Sequence, residues 1–280
     1  MEKPLVTIAI PIYNAERYLR DAIQSCINQT YCNWELLLMC DGSTDGTDKI
    51  VNEMASKDKR IKIVDDGQNK GLIYRLNQSI SLAHGKYYAR MDADDIMSVT
   101  RIEKQVNFMI ENPHIDILGG SIMTIDTNNN IIGSALKTGV VEGFFHPTVF
   151  GITQWFRDNP YVDWAIRAED FELWSRTSAK SHFYSLGEPL LFYRQFGIDS
   201  PKKYIRTELT ALKVTTHYRE YGKPFTWFVK NVIRFTIMAL MYRVSFTFGF
   251  MDVLIKHRKV NPIPKCKCLS QQDLIASIKA

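Results

Sequence analysis

Three carboxylates fall within four positions in the stretch Met91-Asp92-Ala93-Asp94-Asp95. Like charges packed that closely raise one another's pKa and are unfavourable unless a cation or strong hydrogen-bond donors compensate. Oxygen donors suit magnesium or manganese, which usually share their shell with substrate phosphates, so one or two carboxylates suffice and a cation-bound pyrophosphate fits the turn. The plain alternative is an acidic helix start, with Asp95 or Ser98 capping the helix that follows. A second cluster, Asp41-Gly42-Ser43-Thr44-Asp45-Gly46-Thr47, reads in two ways as well. It is either a tight turn running into a helix cap, or a site in which Asp41 accepts hydrogen bonds from a base or ribose.

The elements around these clusters bear on the choice. Leu5 to Ile12 runs apolar in strand fashion, and a helical pattern follows through Tyr18, Leu19, Ala22, Ile23 and Ile27. The order then repeats. Trp34 to Cys40 predicts a second strand, Ile50, Val51 and Met54 a helix, Ile61 to Val64 a third strand, Leu72 to Ala83 a third helix and Tyr87 to Met91 a fourth strand. Strands alternating with helices imply an α/β fold with a parallel sheet covered on both faces. Ligands of such sheets gather at the carboxyl ends of the strands. Asn14 falls after the first strand, Asp41 to Asp45 after the second and Asp92 to Asp95 after the fourth, so three ordinary turns combine into a candidate site. Downstream the pattern predicts a helix over Ser98 to Glu111, strands over Ile115 to Ile125 and Ile131 to Leu136, and a helix starting at Ala168-Glu169-Asp170.

The net charge of +5 conceals an asymmetry: residues 201 to 280 hold 15 Lys and Arg against 4 Asp and Glu, a net +11, while the remainder is 20 against 26. A basic, aromatic tail suits an anionic surface, and the acidic front argues against nucleic acid as a partner. Phe225 to Leu254 is strongly apolar but interrupted by Lys230, Arg234, Arg243 and Asp252, leaving no uncharged run longer than eight residues. A spanning helix needs about 20 predominantly apolar residues, so the segment predicts a helix or hairpin in the membrane interface, with residues 225 to 259 facing anionic lipid. The alternative is an apolar helix packed on protein. The five cysteines, at 26, 32, 40, 266 and 268, read as reduced thiols without a disulfide or zinc pattern. No secretory signal is evident at Met1 to Ile8. A cut near residue 205 therefore separates a catalytic part, 1–205, from a basic helical extension, 206–280.

Taken in order, the motifs resemble family 2 glycosyltransferases with the GT-A fold. The matching residues are Pro11-Ile12-Tyr13-Asn14, Asp41 to Thr47, Asn69-Lys70-Gly71-Leu72 with Asn77, Arg90 to Asp95 with Arg101, His146-Pro147-Thr148, and Glu169-Asp170 with Leu173-Trp174. They extend over roughly residues 4 to 200. The resemblance implies a mixed, mainly parallel sheet flanked by helices and an inverting transfer of sugar from a nucleotide-diphosphate donor, UDP-linked by preference. The acceptor is a hydroxyl of a glycan or lipid-linked glycan, and Mn2+ or Mg2+ is the cofactor. Pro11, Tyr13 and Asn14 would line the nucleotide, with Tyr13 packed on the base and Asp41 hydrogen-bonding it. Asp92 would contact ribose or metal, Asp94 would ligate the metal, and Lys70, Arg75 and Arg90 would meet phosphate or else pair with carboxylates. Asp170 would be the general base, with Glu169 orienting the site. Asp95, His146, Trp155 and Trp164 would contact the acceptor, although each Trp, like Phe156, equally suits a core.

Two departures from the family pattern stand out. Phe196 occupies a place where many relatives carry a His, and Gly151 to Ile166 lacks the Gly-Tyr-Asp approach to the Glu-Asp pair. A peripheral site on the inner face of the plasma membrane and a role in bacterial surface polysaccharide assembly fit the whole. Two other classes compete: a sugar nucleotidyltransferase, which lacks its Gly-rich basic N-terminal loop here, and a non-catalytic sugar- or lipid-binding module.

Overall fold

The computed structural model describes residues 3–196, 201–249 and 269–279. It divides into two compact units: residues 1–158, 182–195 and 261–280 form the first, and residues 159–181 and 196–260 the second.

The first unit is built on the predicted strand–helix alternation. Its elements begin with β1 (Val6–Ile12), α1 (Leu19–Ile27), β2 (Trp34–Cys40), α2 (Thr47–Lys57), β3 (Ile61–Val64), α3 (Leu72–Leu82) and β4 (Tyr87–Arg90). β1 pairs in parallel with β2 and with β4, and β2 in parallel with β3. Every residue of β2 is buried, which explains why its sequence runs apolar instead of alternating. Next come β5 (Ile96–Met97), α4 (Arg101–Glu111), β6 (Ile117–Ile125), β7 (Ile131–Ala135), β8 (Gly139–Val140), a 3-10 turn at His146–Thr148, β9 (Phe150–Ile152), α5 (Thr153–Asp158) and β10 (Phe183–Arg194).

Among the described residues the ten strands form one sheet in the order β3-β2-β1-β4-β9-β6-β10-β5, with β7 beside β6 and β8 beside β10. β10 runs parallel to β6, while β9 and β5 run antiparallel to their neighbours, so the sheet is mixed and mainly parallel. The chain order reverses at β1, with β2 on one side and β4 on the other. Such a reversal opens a crevice beyond the strand ends, and both the Tyr13 loop and the acidic turn start there. The helix α9 (Gln271–Ile278) returns to this unit: Asn28 at the end of α1 donates to the carbonyls of Ser277 and Lys279 at 3.0 and 2.8 Å. Its Leu274 is buried with Ile96, Met123, Ile125 and Phe192.

The second unit is helical, comprising α6 (Glu169–Thr177), α7 (Pro201–Thr216) and α8 (Phe225–Phe248). Its core joins Ala168, Ala211 and Phe235, with Phe171 and Leu212 packed against them. Glu172 is buried yet doubly satisfied, by Arg176 at 2.7 Å and by the Tyr221 hydroxyl at 2.9 Å. The segment read as an interfacial helix or hairpin is one helix to Phe248, ended by Gly249 in the left-handed region at φ 79°. Residues 250–259 of that segment, and Cys266 and Cys268, lie outside the described residues. Cys26, Cys32 and Cys40 are free thiols. Among the described residues no helix is long and apolar enough to cross a membrane.

Candidate nucleotide and metal site

The acidic turn lies between β4 and β5, and the helix-cap reading of it fails. Ile96 and Met97 pair with Phe192 and Leu191 of β10, and α4 starts only at Arg101 with Thr100 at its cap position. A strand therefore stands where Asp95 would have had a helix to cap. Carboxylate oxygens of Asp92, Asp94 and Asp95 lie within 4.8 Å of one another. Burial, reinforced by the charge of Asp92, pushes the Asp94 carboxyl up to about 6. Burial also drives Asp95 well above the usual carboxylate range, with Asp92 and Asp94 adding to it.

The donors nearby compensate only part of this charge. Arg90 reaches Asp92 at 2.9 Å. Asp95 is 1% exposed and its Oδ1 accepts from the Arg194 amide at 2.8 Å, while its Oδ2 is buried without a hydrogen-bond partner among the described residues. Hard oxygen donors crowded together, desolvated and incompletely paired are a fitting set for Mg2+ or Mn2+. Asp94 and Asp92, the less buried two, are the residues that could hold such an ion.

Arg194 is the residue that the sequence did not single out. At the end of β10 it donates from Nε to the Asp94 carbonyl at 2.8 Å and from Nη1 to the Asp126 carbonyl at 2.8 Å. Its guanidinium lies 4.2 Å from the centre of the Tyr18 ring, and Nη2 is buried without a hydrogen-bond partner among the described residues. It fixes the backbone of the acidic turn. The signal was the Tyr193-Arg194 pair closing an apolar run, whose meaning depends on a pairing with residues a hundred positions earlier.

The loops after β1 and β2 hold one another. Asn14 adopts φ 48°, a left-handed conformation that Asn tolerates, and its Oδ1 accepts from the Thr44 amide at 2.8 Å. The Asn14 amide donates to Ser43 Oγ at 3.0 Å, and Ala15 donates to Thr47 Oγ1 at 2.9 Å. Gly42 sits at φ 67°, and a Cβ there would come within 2.9 Å of the Asn69 amide nitrogen, so only glycine lets the two loops meet. The arrangement leaves Tyr13 52% exposed beside β1.

Arg75 takes the carboxylate-pairing alternative, and Asp41 is its partner. Asp41 is buried and accepts from the Lys70 amide at 2.8 Å, the Gly71 amide at 3.0 Å and Arg75 Nε at 2.9 Å. It thus occupies the amide-rich N-terminus of α3 and sets the loop before it. Arg75 is 0% exposed, and its five N–H groups meet Asp41, Asp66, Gln78 and the Gln68 carbonyl. A saturated, buried guanidinium positions Asp41 and has no donor left for a phosphate. Lys70 pairs with Asp66 at 2.7 Å and remains partly exposed.

The acceptor candidates separate by environment. Trp155 is buried edge-on against Phe156 and Phe183, at 5.2 and 5.9 Å between ring centres, and belongs to the core as Phe156 does. His146 is also buried, which with Arg90 nearby keeps its imidazole well below the usual pKa. In the second unit Trp164 stacks on His217 at 5.1 Å with Lys213 over its ring at 4.6 Å. Glu169 and Asp170 open α6 with Glu172, three acidic residues in one first turn where the helix dipole favours them. Glu169 is buried and Asp170 half-buried; Phe196 is exposed.

The glycosyl transferase family 2 model matches residues 7–173. A glycosyltransferase of Haemophilus influenzae is 36% identical over 221 residues, covering 72% of this chain and 68% of the relative. The putative glycosyltransferase EpsE of Bacillus subtilis is 35% identical over 241 residues, covering 82% and 80%. The crystal structure of Staphylococcus aureus TarS in complex with UDP-GlcNAc has the same fold at 16% identity, with a TM-score of 0.65 over 83% of this chain and 72% of that one. The mixed sheet is therefore that of GT-A enzymes, and the chain belongs to glycosyl transferase family 2: it is a glycosyltransferase.

Proposed function

We propose that the protein transfers a sugar from a UDP-linked donor to a hydroxyl of a glycan or lipid-linked glycan, with inversion at the anomeric carbon. The observation that carries the donor half is the cluster of Asp92, Asp94 and Asp95 at the end of β4, the strand paired with β1, which leads into the exposed Tyr13. UDP-GlcNAc in the related TarS supports the choice of nucleotide. Tyr13 stacks on the base, Pro11 and Asn14 shape the loop under it, and Lys70 exchanges Asp66 for a phosphate oxygen. Asp94, with Asp92, would hold Mn2+ or Mg2+, and such an ion would supply positive charge against the anionic diphosphate.

Asp170 removes the proton from the acceptor hydroxyl as its oxygen bonds to the anomeric carbon. The bond from that carbon to the diphosphate breaks in the same displacement, and the diphosphate leaves as UDP. One displacement inverts the centre, and no covalent sugar–enzyme intermediate is required. Glu169 orients the base. Residues 1–205 supply the catalytic part and residues 206–280 the basic extension, which holds the enzyme peripherally at the inner face of the plasma membrane where a lipid-linked acceptor would lie. Bacterial surface polysaccharide assembly is the setting this suits.

A donor screen with the full chain and a lipid-linked glycan should give UDP and an acceptor heavier by one sugar. Release of pyrophosphate instead would contradict the reading. Asp170→Asn should lower turnover at least about 1,000-fold while leaving the UDP-sugar Kd within about twofold. Retained turnover in that variant would remove Asp170 from the mechanism.

A further inference from the structure

Helix α8 carries two apolar faces, and only one of them is packed. Asn231, Phe235, Tyr242 and Ser245 are buried. Phe235 meets Phe171 edge-on at 5.2 Å between ring centres, and Tyr242 stacks on Tyr204 of α7 at 5.2 Å. At 3.6 residues per turn the opposite face is formed by Val229, Ile233, Ile237, Leu240 and Val244, spaced by four, four, three and four residues. All five are exposed, Ile233 at 54% and Leu240 at 60%. The helix contains no acidic residue, and its three cations flank this stripe: Lys230 and Arg234 along one edge, Arg243 along the other.

We infer that α8 docks on an anionic lipid surface through the Val229–Ile233–Ile237–Leu240–Val244 stripe, with Lys230, Arg234 and Arg243 on lipid headgroups. The physical case rests on charge and shape together. An apolar stripe rimmed by cations lies in the plane of a bilayer interface, with its side chains entering the acyl boundary. Cations near the membrane surface add attraction to anionic lipid, and the +11 charge of residues 201–280 extends it beyond this helix. Spanning is not the mode, because Arg234 and Arg243 interrupt the apolar length. This also resolves why the segment has no single apolar side: one face is committed to α7 and α6, the other to lipid. The inference specifies the face used in the peripheral attachment proposed above and rests on that attachment.

The test is sedimentation of the full chain with vesicles of phosphatidylcholine alone or with phosphatidylglycerol added. The wild type should pellet with the anionic vesicles and stay in solution with the neutral ones. Leu240→Asp and Ile233→Asp, at exposed positions away from the α7 contact, should each lower partition by about tenfold or more. Lys230→Glu with Arg234→Glu should do the same while leaving the stripe intact. Helix content by circular dichroism and UDP-sugar turnover on a water-soluble acceptor should match wild type, so loss of attachment is separable from loss of catalysis. Unchanged vesicle binding in Leu240→Asp would overturn the inference. So would a wild-type dimer in lipid-free solution that this variant converts to monomer, since a second copy would then own the stripe.

Discussion

Asp94, the proposed metal ligand, is held in a setting that costs stability when its carboxyl is charged. Burial, with the Asp92 charge beside it, pushes its carboxyl up from the usual carboxylate range to about 6. The protonated form therefore stabilises the fold fully below the unfolded pKa, and that contribution disappears as pH rises through about 6. Asp94→Asn keeps a neutral group at all pH values. In metal-free buffer it should be more stable than wild type by about 1–2 kcal/mol at pH 7.5, with the difference shrinking below pH 5. Thermal melts across pH check this, and sugar transfer by the same variant should be nearly lost. Arg75 and Arg194 make the complementary point about cations. By type and position the sequence offers Lys70, Arg75 and Arg90 as equal candidates for phosphate. Only burial and donor count separate them: Arg75 is saturated beneath Asp41, Arg90 is tied to Asp92, and Lys70 keeps exposure.

At the scale of elements, the first four strands and their helices were legible because local apolar runs and turn residues specify them. β2 and β3 fall at the predicted residues, and β1, β4 and α3 within one residue of prediction at each end. Beyond residue 140 the helices at Glu169 and Phe225 were legible, but the strands were not. β9 is three residues long and β10 carries a Gly-Glu-Pro interruption with register shifts, so neither shows a clean period. Their positions are set by partners far along the chain, β9 between β4 and β6 and β10 between β6 and β5. The same non-local pairing hid the Arg194 contact with the acidic turn. It also hid α9, whose Leu274 packs on Ile96 of β5 and Phe192 of β10 and so supports the strands that carry that turn. Leu274→Ala should cost about 2–4 kcal/mol in denaturant unfolding, the range for a fully buried leucine. An effect below about 0.5 kcal/mol would show that the C-terminal helix does not buttress the sheet.

The whole molecule comprises a sheet unit and a helical unit, and most of the basic excess beyond residue 200 falls on the helical one. Tyr13, Asp41 and the Asp92–Asp95 turn follow the carboxyl ends of β1, β2 and β4, three neighbouring strands. The helical unit holds Asp170 at the start of α6 and an uncovered apolar face on α8. The central claim is that the acidic turn binds the donor diphosphate through a divalent cation. Calorimetric titration of UDP into the full chain, with and without Mn2+, tests it most directly. The account predicts that Mn2+ tightens UDP binding at least about tenfold in the wild type and has little effect in Asp94→Asn. Equal UDP affinity with and without the cation in the wild type would contradict it.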